Sequence, residues 1–581
     1  MAKKKVDRET AKKQAVVKEC DLDCGYISPI TTIHNFSLEN IKSVLGTSRY
    51  LQVLIVITVL GLFLRFYNLG FNSLWLDETA TYSFSVRTLT EIWWETAVGG
   101  ETNPPLFYWI EHFMLMLGNN EVILRFIPAL FGVLSIPLFY LVGKEFFDRN
   151  VGIIAAAGCA FSPFLIYYSQ DARTYAMMLF FVALSTLFFL KALKSGTLTD
   201  WGLFGVFSAF AFWSHFYTFV MTAALVLYTL IIWAPHIRTE IKNLKMLSVG
   251  IVVFIILSLP LILIALQIFK MSTASSPTWG IQGLNFIAVT LYRISGFNIH
   301  QISGFNILSM VVLLTLFLIG FVQAFLLDKN KGIFLAFIMV FTLVISYFLS
   351  FKMPMDSRYL IFLSIVFFIG IAMSYRAMYT IWSSRGAVYI IIAILVLVSV
   401  PVLVNYYSSY SNPDWRGFST ALAEKTRPGD LVISVPKSNS LLLDYYYSSA
   451  KSQTREYRAN SAEDLEKIYS VRGNSTMYFV LTRAISALNP NGDAVAWLEN
   501  NTHFAGMDTT KSIYLFTSPK RASAPNYNMT IIIPSEKEAS NIGAIIKEIN
   551  ANFFSGTATN WEILIVVNNS PDGTLLTGPS K

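Results

Sequence analysis

The feature that most constrains this chain is a series of apolar runs close to 20 residues long. They fall at roughly 51–69, 124–143, 150–168, 174–194, 200–214, 216–234, 246–267, 306–327, 332–351, 358–376 and 386–408. A helix needs about 20 such residues to cross a hydrocarbon core of roughly 30 Å. Composition agrees: of 581 residues, 54% are hydrophobic and 14% charged, whereas a soluble domain carries about 25% charged residues. The runs predict an α-helical polytopic membrane protein with about eleven transmembrane helices.

Pro105–Gly118 (PLFYWIEHFMLMLG) tests that count. It is apolar, but its length as a helix is only about 21 Å, and it carries Glu111 and His112. That suits a helix lying at the interface better than a span. With this segment on the surface, one set of short connections holds Lys144, Arg149, Lys191, Lys194, Arg238, Lys242, Lys245, Lys329, Lys331, Arg376 and Arg385. The basic segment 1–50, with Lys3, Lys4, Lys5, Arg8, Lys12, Lys13 and Lys18, falls on the same side. Cytoplasmic loops are the basic ones, so the N-terminus is expected in the cytoplasm, with no cleavable leader ahead of the first span.

The net charge of +8 is therefore an orientation signal. No basic stripe with interleaved aromatics points to nucleic acid. Cys20 and Cys24 are too sparse for a zinc site and read as reduced thiols, and Cys159 lies within an apolar run.

The opposite, outer face collects Asp77, Glu78, Glu101, Asn103, Asp171, Arg173, His215, Lys352, Asp356 and Arg358. Charges at span ends are costly unless paired or facing an aqueous cavity, so a set of both signs on one face marks a candidate site. Taken singly, each reads more simply as a helix-end or snorkelling charge. His215, between two spans, reads first as a hydrogen-bonded interfacial histidine.

After the last run the pattern changes. Residues 410–523 read as a small α/β domain: a helix over Trp415–Lys425, strands over Asp430–Val435, Met477–Thr482 and Ser512–Thr517, and a helix opened by Ser461 with Asp464 three residues on. An odd number of spans places it outside the cell membrane. Residues 524–581 read strand, helix, strand, turn. The chain thus divides into 1–50, a membrane domain 51–409 with an outer loop 70–123, the α/β domain 410–523 and the segment 524–581.

The motifs Trp75-Leu-Asp77-Glu78-Thr, Glu101-Thr-Asn103-Pro-Pro-Leu-Phe-Tyr-Trp109, Arg125-x-x-Pro128-Ala, Ser169-Gln-Asp171-Ala-Arg173-Thr-Tyr175-Ala and Ser357-Arg358-Tyr359-Leu occur in that order. Together they resemble the GT-C superfamily glycosyltransferases of the protein O-mannosyltransferase and lipid A aminoarabinose transferase type, over roughly residues 50–435. The resemblance implies a donor of one sugar on a polyprenyl (dolichyl) monophosphate, and a glycan, protein or lipid acceptor. It implies that the essential acid is Asp77, with Glu78 beside it. The family's Glu-x-Lys-Pro-Pro element falls on Glu101–Pro105, and Asn103 stands where the family's lysine would contact phosphate. Arg173 and Arg358 then supply more of the positive charge. The helix after this element lies on the membrane in the family, in agreement with its length here. The segment 524–581 resembles the start of dolichyl-phosphate-mannose synthase-type nucleotide-sugar transferases. Its second turn, Val567-Asn568-Asn569-Ser570-Pro-Asp572-Gly-Thr574, lacks the family's Asp-Asp pair, so it reads as a truncated remnant.

A lipid-phosphate sugar is already activated, so such an enzyme must deprotonate an acceptor hydroxyl and stabilise the departing phosphate. A carboxylate does the first and arginines the second. The expected roles are Asp77 as general base, Glu78 or Glu101 shaping the acceptor or a metal site, and Arg173, Arg358 and Asn103 at the donor phosphate. Glu101, Asp171, His215 and Tyr175 are placed on the acceptor or metal side. A divalent cation held by Asp77 and Glu101 stays open as an alternative, although two carboxylates without a histidine are a weak metal signal. The rival reading is a transporter or flippase of a lipid-linked solute. That predicts an internal repeat and broken helices at the midplane; no repeat is evident.

Overall fold

The computed structural model describes residues 48–98, 103–236, 238–274, 276–277, 279–295, 304–379, 384–410, 412–447 and 452–518, and the backbone strands 529–535 and 561–567. The chain forms two compact units, Met1–Ser411 and Asn412–Lys581.

All eleven apolar runs are helical. In chain order the first unit contains α1 (Arg49–Phe66), α2 (Leu76–Ser85), α3 (Leu89–Ala97), α4 (Leu106–Met114), α5 (Glu121–Phe146), α6 (Arg149–Phe161), α7 (Pro163–Ser169), α8 (Tyr175–Ser195), α9 (Leu198–Ser214), α10 (Thr218–Trp233), α11 (Ile241–Ser272), α12 (Gly283–Ile294), α13 (Gly304–Leu327), α14 (Lys329–Leu349), α15 (Leu363–Met373) and α16 (Ser384–Ser408). Among the described residues, eight helices are long and apolar enough to cross a membrane, and nine if α6 and α7 count as one span bent by 58°. The bend falls at Ser162, whose hydroxyl caps α7 ahead of Pro163. The other two expected spans are the shorter α9 and the broken stretch 357–378. Every residue of α15 is buried, as in a helix surrounded by other helices on all sides.

Small residues let these helices approach closely, because packing rather than hydrophobicity drives association in lipid. A Cβ on Gly320 of α13 would stand 1.8 Å from the Gly370 carbonyl oxygen of α15, and one on Gly205 of α9 would stand 2.3 Å from that of Gly250 in α11. One charge is buried within α1. The Arg65 guanidinium donates to the carbonyls of Gly61, Cys159 and Ala160 at 3.2, 2.8 and 3.1 Å and to Ser169 Oγ at 3.2 Å. Gln170 continues the tie: its Nε2 donates to the Arg65 and Tyr67 carbonyls at 3.0 and 2.8 Å, and its Oε1 accepts from the Tyr406 hydroxyl at 2.8 Å. Three helix ends, of α1, α7 and α16, are thereby fixed beside the turn 170–174.

The second unit carries α17 (Trp415–Lys425), β1 (Leu431–Val435), α18 (Ser440–Tyr446), β2 (Arg455–Arg458), α19 (Ala462–Ser470), β3 (Met477–Thr482), α20 (Asp493–Asn501), β4 (His503–Met507) and β5 (Ile513–Ser518). The five strands form one sheet in the order β2-β1-β3-β5-β4, with β1 parallel to β2 and β3, and β5 antiparallel to β3 and β4. Each residue of β1 is buried, as expected of a parallel strand covered on both faces. Leu431, Ile433 and Phe479 pack with Leu465 and Ile468 of α19 and with Leu498 of α20. Ser461 caps α19 by accepting the Asp464 N–H, as its sequence implied.

Further along, β6 (Met529–Ser535) and β7 (Trp561–Val567) pair in parallel. A parallel pair needs a crossover of a dozen or more residues, which agrees with the strand–helix–strand reading. The expected helix between them lies outside the described residues, as do most of the N-terminal segment 1–50, with Cys20 and Cys24, and the turn 568–574.

Candidate active site

Of the outer-face residues named in the sequence reading, Asp77, Glu78, Asn103, Asp171, Arg173, His215, Asp356 and Arg358 form one connected group. Asp77 and Glu78 sit in the first turn of α2, where free backbone N–H groups and the helix dipole favour anions. The two neighbours face different surroundings.

Glu78 is 1% exposed and fully engaged. Its Oε1 accepts from Arg125 Nε at 2.7 Å and from the Ala172 N–H at 2.8 Å. Its Oε2 accepts from Arg125 Nη2 at 2.7 Å and from the Trp75 N–H at 3.2 Å. Arg125, on α5, also donates to the carbonyls of Leu69, Asn72 and Ser73. One buried bidentate pair thus joins α2, α5, the 69–75 turn and the 170–174 turn.

Asp77 has a side chain that is 26% exposed, and its Oδ2 accepts from Arg358 Nη1 at 2.8 Å. The Arg358 guanidinium is 12% exposed and lies against the rings of Trp75, Tyr175 and Tyr359, at 5.4, 5.6 and 5.8 Å from their centroids. Arg173 points into the same region. Its Nη1 lies 3.2 Å from the Asp77 carbonyl oxygen, 3.2 Å from Thr81 Oγ1 and 3.5 Å from the Tyr108 hydroxyl. That hydroxyl also receives Asn103 Nδ2 at 3.5 Å. Asn103 and Arg173 therefore meet at the Tyr108 hydroxyl, and Arg173 and Arg358 both reach Asp77.

Asp171 is buried, with Oδ1 accepting from Trp75 Nε1 at 2.9 Å and Oδ2 without a hydrogen-bond partner among the described residues. Burial, reinforced by the Glu78 carboxylate, pushes its carboxyl up to about 7, against the pull of Trp75, Arg173 and Arg358. His215 caps the end of α9 and stacks at an angle on Tyr359 and Tyr175, with centroids 5.1 and 6.0 Å apart. Its Nδ1 accepts the Tyr217 N–H at 3.1 Å. Burial, with Arg173 and Arg358 nearby, takes it down to about 3, so the imidazole is neutral. The structure brings together every expected site residue except Glu101, which lies outside the described residues.

One contributor, Arg293, escaped the sequence reading, and another, Trp75, entered it only as part of a motif. Trp75 bridges Asp171 and Arg358. Arg293, on α12, places Nη1 2.8 Å from both Asp356 Oδ1 and Ser357 Oγ, next to Arg358. Its signal in the sequence is a single cation in the apolar stretch GLNFIAVTLYRI, with no acid in that stretch to pair with. Among the described residues no group of three or more His, Cys, Asp or Glu stands together as a metal-binding set.

Residues 102–263 match the family described as dolichyl-phosphate-mannose-protein mannosyltransferase. A protein of Bacillus subtilis strain 168 named "Putative mannosyltransferase YycA" is 26% identical over 265 residues, 43% of this chain and 37% of that protein. An uncharacterised protein of Aquifex aeolicus strain VF5 is 29% identical over 144 residues, 24% of this chain and 28% of its own length. The matches thus span about a third of these relatives. The crystal structure of ArnT from Cupriavidus metallidurans in the apo state superposes with a TM-score of 0.53 at 11% identity, covering 83% of this chain and 98% of that one. The same enzyme bound to undecaprenyl phosphate gives 0.52 at 11% identity over the same shares. The chain is a multi-pass membrane protein with the GT-C glycosyltransferase fold, as the ordered motifs implied.

Proposed function

We propose that the protein transfers a monosaccharide from a polyprenyl-phosphate donor to an acceptor hydroxyl, with inversion at the anomeric carbon. The observation that carries this reading is the partly exposed Asp77 paired with Arg358, beside Arg173, in a GT-C bundle. That arrangement sets a carboxylate next to two permanent cations, which is what acceptor deprotonation and phosphate departure require. The comparison with ArnT bound to undecaprenyl phosphate supports a donor of that class.

In this reading Asp77 takes the proton of the acceptor hydroxyl as its oxygen bonds to the anomeric carbon. The bond from that carbon to the phosphate oxygen breaks, and the added charge on the leaving phosphate is held by Arg173 and Arg358. Asn103, a neutral donor, contributes a hydrogen bond to the phosphate. Glu78 supports the site through Arg125, since its oxygens are already occupied. Neutral His215 and the Tyr175 ring line the acceptor side with Asp171. A divalent cation between Asp77 and Glu101 is the alternative use of Asp77, and activity in the presence of a chelator separates the two. The membrane is the cell membrane, with the N-terminus cytoplasmic and both the site and the α/β domain outside.

The test is sugar release by the purified protein in lipid from a panel of radiolabelled polyprenyl-phosphate monosaccharides. Turnover of one donor supports the reading. Tight binding of polyprenyl phosphate with no turnover of any donor favours a carrier of lipid-linked solutes.

A further inference from the structure

We infer that Arg293 is a positioning residue for Arg358, and that α12 is a strap that aims this arginine at Asp77. The inference rests on the transfer reading above, which gives Arg358 its task.

The segment ahead of α15 is held at two places by α12 and the residues preceding it. At the first, the Ile281 N–H donates to the Met355 carbonyl at 3.0 Å and the Gly283 N–H donates to Ser350 Oγ at 2.9 Å. Gly280 takes φ +97°, and a Cβ there would stand 2.7 Å from the Met355 nitrogen. Only glycine accepts both that conformation and that approach. At the second, ten residues along the helix, Arg293 Nη1 donates to Asp356 Oδ1 and Ser357 Oγ, each at 2.8 Å.

Asp356 passes this on. The same Oδ1 accepts the Arg358 N–H at 3.0 Å and lies 4.0 Å from Arg358 Nε. Arg293, Asp356, Arg358 and Asp77 therefore form an alternating chain of cation and anion, which reaches α2 through Arg358 Nη1 and Asp77 Oδ2 at 2.8 Å. Within that chain Arg293 balances the charge of Asp356. Without it, Asp356 would draw the Arg358 guanidinium back from Asp77 and from an incoming phosphate. Arginine suits the role because one planar group reaches two acceptors at once.

The experiment measures undecaprenyl phosphate binding and donor KM and kcat in reconstituted full-length protein, for wild type, Arg293→Gln, Arg293→Lys, Asp356→Asn and Arg293→Gln/Asp356→Asn. Positioning predicts that Arg293→Gln weakens binding and raises donor KM by about tenfold or more. Arg293→Lys recovers part of the loss. The double variant binds better than Arg293→Gln, because neutralising Asp356 removes the competing pull. A direct contact between Arg293 and phosphate predicts that the loss in Arg293→Gln persists undiminished in the double variant, and that result would overturn the inference.

A structure of ligand-free Arg293→Gln decides the matter without catalysis. Separation of Arg358 from Asp77 supports the inference, and a retained 2.8 Å pair contradicts it. A wild type that binds no polyprenyl phosphate would sink the transfer reading, while the ligand-free structure would still test the strap.

Discussion

Adjacent residues in α2 have divergent fates. Asp77 keeps an open side, and Glu78 is buried against Arg125 with its oxygens in four hydrogen bonds. Removing one partner of a buried ion pair leaves the other charge uncompensated. Glu78→Gln should therefore cost about 3–5 kcal/mol of stability, seen as a lowered melting temperature in detergent. An unchanged melting temperature would show that the pair is not a structural tie. Asp171 carries a pH prediction. Its carboxyl is raised to about 7 by burial and by Glu78, so the folded protein holds this proton more tightly than the unfolded chain, whose carboxyl titrates near 4. The neutral form is compatible with its surroundings, and stability is lost as pH rises through about 7. The opposite shift of His215 offsets this slope in wild type over much of the same range, so the readout is the melting temperature of wild type relative to Asp171→Asn, which cannot ionise: the difference should fall between pH 5 and 8, and parallel curves for the two proteins would contradict the assignment.

At the scale of elements, patterns that depend on local sequence were legible and those that depend on tertiary partners were not. Every long apolar run became a helix, because lipid leaves the backbone no other partner. The Ser461 cap and the buried run Leu431–Val435 were readable for similar local reasons. The helices α2, α3 and α12 were missed. They are short and lie between spans, and what holds them is distant: Glu78 to Arg125, the Trp93–Trp109–Trp213 ring contacts, and Arg293 to Asp356. The strand β2 was missed because its REYR sequence lacks apolar alternation and depends on pairing with β1. The close helix contacts give a test at this scale. Gly320→Val would drive a side chain into the Gly370 carbonyl oxygen. The variant should insert but melt several degrees lower, whereas Gly202→Val, with nothing within 4 Å of its Cβ position, should not. Equal melting of the two would contradict the α13–α15 packing.

At the scale of the whole molecule, the distribution of charge predicts topology. The sequence pattern puts the site residues and the basic connections, such as Arg238 and Lys242, on opposite sides. In intact cells, a membrane-impermeant maleimide should label Lys437→Cys in the α/β domain and leave Arg238→Cys unlabelled until the membrane is permeabilised. The opposite pattern would invert the orientation and place the site in the cytoplasm. The candidate site itself was legible as a set of residue types on one face. Which carboxylate is open and which is structural was not, because that depends on Arg125 folding back onto α2.

The most direct measurement compares Asp77→Asn with wild type in lipid, reading donor binding and sugar transfer on the same preparation. The account predicts that the variant still inserts and still binds polyprenyl phosphate, while transfer falls by about 10²–10⁴-fold, the range for loss of a general base. Transfer at the wild-type rate by Asp77→Asn would contradict the account at its centre.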